Sequence, residues 1–282
     1  MYHPSRTVGK AISCQDPTCG QPDPHKRLWT LHNRASEAAR PDGVIRDELA
    51  LQIYRSLHYD FVRSFGPPDG SHGIRSALFD AELRGFLAAH PDGVIVNLGE
   101  GLETQRFRVD SESALWLSVD VPEAMAVRER YIQPDARHLH LRLSALDPAW
   151  MDQVPSGRAV YVTAQGLLMY FTPEEVETLF RHLATRLPGA WFAFDHIPGW
   201  LSRKTLRGWW KTPHYRTPPM PWGIGRDRMA PTLRAWVPDL AEINSLPFVF
   251  PRGWYSLLSY TLIYAPWLGD QMPGITRVRF GG

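Results

Sequence analysis

The feature that most constrains this chain is a short, mostly β-branched run, Val94-Ile95-Val96-Asn97-Leu98, that stops abruptly at Gly99-Glu100-Gly101. A strand apolar on successive residues is covered on both faces, which suits the middle of a parallel sheet. The texture repeats downstream. Leu115 to Val119 is a second apolar run and ends at Asp120. His138 to Leu143 alternates as a third strand, Ala159 to Thr163 makes a fourth, and Trp191 to Phe194 a fifth. Helical patterns lie between them. Pro122 to Tyr131 carries proline in its first turn. Pro173 to Leu187 is capped by Thr172, has Glu174 and Glu175 at its positive end, and shows a Val176, Leu179, Phe180, Leu183 stripe. Strands alternating with helices imply parallel pairing with helices on both faces, hence an α/β doubly wound sheet. Such sheets bind ligands beyond the carboxyl ends of their strands.

Ahead of this core the pattern is helical. Residues 1–27 read as a flexible arm. Residues 28–90 read as an N-terminal helical segment, with Ala35, Ala38 and Ala39, then Leu49, Ile53 and Leu57, broken at Pro41-Asp42-Gly43. Asp47 is placed to cap the second piece, and Ile74 to His90 is amphipathic. The core is expected over 91–282. Its later part is rich in tryptophan and proline, of which the chain holds 11 and 25, many between Trp200 and Trp267. Proline fixes φ and removes a donor, so that stretch is not regular throughout; it reads as a substrate lid over about 200–235, or as a packed cap.

Composition excludes several function classes. A net charge of +2 with acids and bases interspersed argues against a nucleic-acid binder. No run of about 18 apolar residues suggests a membrane span. The first residues lack the apolar centre of a secretory signal, so a cytoplasmic protein is expected, as a monomer or homodimer. Cys14 and Cys19 sit together in the polar leader; their spacing could suit a metal or a disulfide, but zinc sites need more ligands, so they read as reactive or inert thiols of a mobile tail and no metal is expected.

The residues at the strand ends point to a nucleoside. Gly99 and Gly101 let the backbone turn sharply and let a ligand approach it, although glycines at such turns also serve packing alone. The third glycine of the dinucleotide fingerprint is missing, and Glu100 and Glu103 are expected to repel a pyrophosphate, which disfavours a dehydrogenase. Asp120 follows the glycines by about 20 residues, where a carboxylate accepts from both ribose hydroxyls; the alternative is a cap on the next helix. Ser144-Ala145-Leu146 after the third strand can meet an adenine edge or merely start a turn. Gln165 after the fourth is a polar residue in an apolar run, read as a contact to the cofactor's amino-acid part or as a bonded core amide. Asp195 and His196 follow the fifth.

Several of these segments together resemble the leucine carboxyl methyltransferase superfamily, in particular its bacterial tetracenomycin-type polyketide carboxyl O-methyltransferase branch. They are VIVNLGEGLETQRFRVD, LWLSVDVPE, SALDPAWMD and AQGLLMYFTPEE, with TLHNRASEAARPDGVIRDELA, PPMPWG and FPRG elsewhere. The resemblance implies a class I methyltransferase fold with a seven-stranded, mostly parallel sheet. It implies S-adenosylmethionine as methyl donor, S-adenosylhomocysteine as product and a carboxylate as acceptor. Arg75 resembles the arginine that holds the cofactor carboxylate, with Arg34 as a second basic residue there. Gly99 resembles the glycine of the first motif, Asp120 the ribose acid, Ala145 and Leu146 the adenine-side pair. Gln165 stands where the phosphatase-methylating members carry an acid, and GEGLETQ replaces their GAGxDT pattern, so a small metabolite is expected as substrate.

An ionised carboxylate acceptor needs no base near neutral pH, since its pKa is about 4, whereas a phenol with pKa about 10 does. His196 is the candidate base for a phenol or hydroxyl acceptor. A fold that binds the nucleoside without turnover is a further alternative. Trp209, His214, Tyr215 and Arg216, in a segment that also holds Lys211, Arg226 and Arg228, offer flat walls and cations for an aromatic acid, or a solvated basic face over a cap; Tyr170 and Trp222 are further wall candidates.

Overall fold

The computed structural model describes residues 25–109, 111–246 and 269–282. Cys14, Cys19 and nearly all of the expected N-terminal arm lie outside these residues. Five parallel strands, β1 (Val94–Leu98), β2 (Leu115–Asp120), β3 (His138–Arg142), β4 (Val160–Ala164) and β5 (Trp191–His196), match the strands read from sequence to within two residues. A small hairpin, β6 (Trp210–Thr212) and β7 (Tyr215–Arg216), stands apart. Then β8 (Glu242–Leu246) and β9 (Gly274–Arg279) complete a seven-stranded sheet in the order β3-β2-β1-β4-β5-β9-β8, with β9 antiparallel to both neighbours. The order reverses between β1 and β4, which leaves a crevice at their carboxyl ends.

The double apolar character of β1 has a direct cause. Val94, Val96 and Leu98 enter one core, and Ile95 enters the core on the opposite face. On the first face lie α7 (Pro173–Arg186) and α9 (Arg226–Trp236). The buried Val176, Leu179, Phe180 and Leu183 of α7 fill that core, and a Thr172–Glu175 capping box starts the helix. Truncating Leu183 there to Ala would cost about 2–5 kcal/mol. On the second face lies α4 (Ser71–Ala89), through Phe79, Leu83, Phe86 and Leu87.

The N-terminal segment forms α1 (His25–Ala38), α2 (Glu48–Ser56), α3 (Phe61–Phe65) and α4. Asp47 caps α2 by accepting from the Ala50 N–H at 3.0 Å, as its position in the sequence suggested. Asp60 starts the separate α3 in the same way, a break the periodicity alone does not show. Helix α4 begins three residues before Ile74, and that extra turn brings Ser71 and His72 into line with Arg75. Between strands lie α5 (Gln105–Arg108) and α6 (Pro122–Arg128), the latter ending three residues short of Tyr131. The β3–β4 crossover is a 3-10 turn, Pro148–Gln153.

The stretch read as a lid divides in two. The β6–β7 hairpin lies against the end of α3, and helix α8 (Gly199–Leu206) is tied through Ser202 and Thr205 to Pro221 and Met220. The rest belongs to the main core, where Trp222, Ile224, Met229 and Leu233 are buried. Helix α9 runs through Pro231. No helix among the described residues is long and apolar enough to cross a membrane.

Candidate functional site

A cavity of about 550 Å³ opens at the carboxyl ends of β1, β2, β4 and β5 and is roofed by α1 and α4. Gly99, Gly101, Asp120, Ser144, Ala145 and Gln165 all line it. The glycine turn is built for close approach. Gly99 has φ +61°, a conformation L side chains rarely adopt, and a Cβ there would also meet Leu167 Cδ1 at 2.6 Å. The Gly101 N–H donates to Asp120 Oδ2 at 2.8 Å, and the Val121 N–H donates to Oδ1 at 2.9 Å. Asp120 therefore ties the β1 and β2 loops together. It is not the cap of α6, whose N-cap is Val121 and which has no side-chain cap bond.

The two glutamates of the turn correct an expectation. Neither presents a bare charge. Glu100 faces Arg128 at 3.1 Å, and Glu103 faces Arg34 at 2.9 Å and Arg108 at 2.7 Å. Burial works against an ionised Glu103, but the charges of Arg34 and Arg108 hold its carboxyl at about 2. Burial pushes the Glu100 carboxyl up, against the pull of Arg128. Arg128 also donates to the carbonyls of Gly101 at 2.9 Å and Glu103 at 2.7 Å, so it braces the loop from beneath. The geometry therefore does not sustain repulsion of a ligand phosphate by these acids; what disfavours a dinucleotide is the two-glycine turn.

Arg34 borders the cavity but has no nitrogen uncommitted. Nε donates to Asp47 at 3.1 Å, Nη1 to Glu103 at 2.9 Å and Nη2 to the Leu102 carbonyl at 2.6 Å. These bonds use three of its five N–H groups and neutralise Glu103 and Asp47 at the cavity edge. Arg75 is better placed. Its Nη1 donates to Asp195 Oδ2 at 2.8 Å, and its Nε–H has no partner among the described residues. Asp195 Oδ1 also accepts from the Gly166 N–H at 2.6 Å, so one carboxylate positions both the arginine and the β4 loop.

Gln165 is oriented by a chain of amides. It donates to Gln105 Oε1 at 3.1 Å, and Gln105 donates to Asp80 Oδ1 at 3.0 Å. Gln165 Oε1 is left buried without a partner among the described residues. His196 also borders the cavity, but in a poor state to act as a base. Its Nδ1 lies 3.1 Å from the Ile224 carbonyl and must donate to it, so Nε2 holds the lone pair. Nε2 is buried without a partner among the described residues and packs over Gly274, where a Cβ would come within 2.7 Å. Burial holds its pKa down at about 4.

The far half of the cavity is aromatic and sulfur-rich: Trp29, Tyr170, Trp209, Met169, Met220 and Met272. Tyr170 and Trp209 were expected there. Four other wall candidates are not brought to the cavity. Trp222 fills the main core, its ring 6.0 Å from that of Phe194. Tyr215 is buried edge-on against Phe65 at 4.9 Å. His214 and Arg216 are exposed on the hairpin. Leu146 likewise packs into the core, with its N–H on Ser144 Oγ at 3.2 Å. Sequence reasoning missed Trp29, His72 and Gln105. His72 lies three residues before Arg75, a spacing that puts both on one helical face, and that signal was available.

The constituents suit S-adenosylmethionine. A turn that a Cβ would fill, an acid at the end of β2, an arginine whose Nε–H has no partner among the described residues and an amide oxygen likewise unpartnered belong to residues that line one cavity. Comparison with known proteins agrees. Residues 27–184 match the model of the leucine carboxyl methyltransferase family, and 90% of the chain aligns at 30% identity with 92% of the tetracenomycin polyketide synthesis O-methyltransferase TcmP of Streptomyces glaucescens. The chain belongs to the leucine carboxyl methyltransferase family. A second relative, the S-adenosyl-L-methionine-dependent methyltransferase dpfgK of Gibberella zeae, is 28% identical over 55% of this chain and 58% of its own. Among solved structures, the CurJ carbon methyltransferase shares the fold at a TM-score of 0.52 and 14% identity, covering 93% of this chain and 68% of that one. This leucine carboxyl methyltransferase family member is thus an S-adenosylmethionine-dependent methyltransferase of the tetracenomycin-type branch, on a class I fold.

Proposed function

We propose that the protein methylates a carboxylate oxygen of a small aromatic, polyketide-like acid. The observation that carries this reading is the state of His196 beside an aromatic cavity: the histidine at the end of β5 is neutral, closed off at Nε2 and held at about 4 by burial. A phenol needs its proton removed, and among the described residues His196 does not offer an accessible base for that; an ionised carboxylate needs none. The name of the Streptomyces relative, a polyketide synthesis O-methyltransferase, supports the same class of acceptor.

S-adenosylmethionine supplies a methyl group on a cationic sulfur, already bound to a good leaving group. What remains for the chain is binding, alignment and exclusion of water. Asp120 is placed to accept from the ribose, Arg75 to meet the amino-acid carboxylate, and Gln165 Oε1 to accept from the ammonium. Ser144 and Ala145 border the adenine end. Trp29, Tyr170 and Trp209 offer flat walls for an aromatic acceptor and help exclude water.

The test is a panel of aromatic acids and matched phenols with a methyl-labelled donor. The expected product is an ester, so mild alkali releases the label as methanol. Label that survives alkali, as an aryl ether, overturns the carboxylate assignment.

A further inference from the structure

His72 is a polar residue that the mechanism above leaves unused. It lies in the first turn of α4, one turn from Arg75, and lines the cavity beside Trp29, whose ring is 5.3 Å away and edge-on. Its tautomer is fixed by a neighbour. Asn33 is buried, and its Oδ1 accepts from the Asp69 N–H at 3.3 Å while its Nδ2 donates to Asp69 Oδ1 at 3.2 Å. That pairing sets which end of the amide is which. The same Nδ2 lies 2.7 Å from His72 Nδ1, which must therefore accept. The ring proton is forced onto Nε2, and no hydrogen bond among the described residues occupies it. Burial, and then the charge of Arg75, hold this histidine neutral.

Two tryptophan walls of the cavity each carry a lysine over the ring. Lys211 Nζ stands 4.7 Å over the Trp29 ring and Lys204 Nζ 4.3 Å over the Trp209 ring. Both tryptophans line the cavity; neither lysine does, and neither has a carboxylate within ion-pair distance among the described residues. Two aromatic faces backed by cations, with a fixed N–H donor between the helices, form a place for a flat anion. The arginines nearby are already ion-paired, Arg75 with Asp195 and Arg34 with Asp47 and Glu103.

We propose that His72 is the acceptor-carboxylate residue, donating its Nε2–H to the acid while Lys211 and Lys204 favour the anion through the tryptophan walls. This rests on the carboxylate reading above and names the group that selects for it. A neutral N–H is well matched to that role, because it orients one carboxylate oxygen without the tight ion pair that would blunt the oxygen facing the methyl group.

The test uses protein loaded with S-adenosylhomocysteine and two isosteric probes, 2-naphthoate and 2-naphthamide, titrated calorimetrically. Wild type is expected to prefer the naphthoate at least tenfold. His72→Leu should abolish that preference, while His72→Gln, whose amide N–H reaches the same point, keeps it to within about threefold. Lys211→Met should weaken naphthoate about threefold and leave naphthamide unchanged. The S-adenosylhomocysteine affinity should be the same in all variants, which also verifies that each is folded. A wild type with no preference for the acid sinks the carboxylate reading and the subsite together. A wild-type preference that survives His72→Leu, or a His72→Leu defect that falls on S-adenosylhomocysteine instead, overturns the subsite alone.

Discussion

Gln165 donates its side-chain N–H to Gln105 Oε1 at 3.1 Å, and that bond decides what Gln165 shows to the cavity. Both Asp80 oxygens accept from Arg108, at 2.7 and 2.9 Å, and Gln105 turns its own N–H toward Oδ1. Gln105 Oε1 then faces Gln165, whose own oxygen is left buried and without a partner among the described residues. The chain of amides converts a residue that is two-sided by chemistry into an acceptor. We expect Gln165→Met to weaken S-adenosylhomocysteine binding about tenfold, and Gln105→Met, which touches no ligand, to weaken it about fivefold, roughly 1 kcal/mol. Calorimetric titration checks both, and unchanged affinity in Gln105→Met would show that the relay does not orient Gln165.

This relay also marks where sequence reading stops. The strand ends were legible because each is a local event: an apolar run, then a glycine or an acid. Gly99, Asp120 and Gln165 sit at one rim for that reason. Gln105 and Asn33 were not legible, because they act only by fixing the proton or amide geometry of another residue distant in the chain. Trp222 and Tyr215 were misplaced for a related reason: an aromatic in a proline-rich stretch reads the same whether it faces a ligand or a core, and only packing against Phe194 and Phe65 separates the two. Strands β8 and β9 lacked a clear pattern of their own. Edge strand β8 reads EINSL, with exposed polar residues, and was implied only by family resemblance.

Asp120 has two duties, and substitutions separate them. It accepts from the Gly101 and Val121 N–H groups, and in the proposed mode of cofactor binding it also accepts from the ribose. Asp120→Ala is expected to weaken S-adenosylhomocysteine at least tenfold, about 1.4 kcal/mol, through loss of a charge-assisted bond. Asp120→Asn keeps one acceptor oxygen for the loop and should preserve thermal stability better than the alanine variant while still losing ligand affinity. If calorimetry returns the wild-type dissociation constant for Asp120→Ala, the residue does not contact the ribose.

His196 should matter little to the rate. A positioned general base contributes roughly 10²–10⁴-fold, so its removal is unmistakable. With Nδ1 on the Ile224 carbonyl and Nε2 closed off, His196→Gln is expected to keep kcat on an aromatic acid within about threefold. Because its pKa lies at about 4, the kcat/KM profile should show no inflection from this residue between pH 5.5 and 8. A loss of two orders of magnitude would reinstate the base.

His138 gives the protein a pH-dependent stability that has nothing to do with the reaction. Fully buried, it meets Ser118 Oγ at 2.7 Å through Nε2, and its Nδ1 has no partner among the described residues. Burial, and next the charge of Arg128, lower its pKa to about 3, whereas in the unfolded chain it returns to about 6.5. Between those values the unfolded chain binds more protons than the folded one, so stability rises with pH through that window and falls as pH drops. At pH 5 the loss relative to pH 7 is on the order of 2 kcal/mol from this residue. Urea titrations of wild type and His138→Gln at pH 5, 6, 7 and 8 isolate it by difference. The wild type should lose more stability than the variant below pH 6.5 and run parallel to it between pH 7 and 8. Parallel curves across the whole range would mean that the buried ring is charged at pH 5.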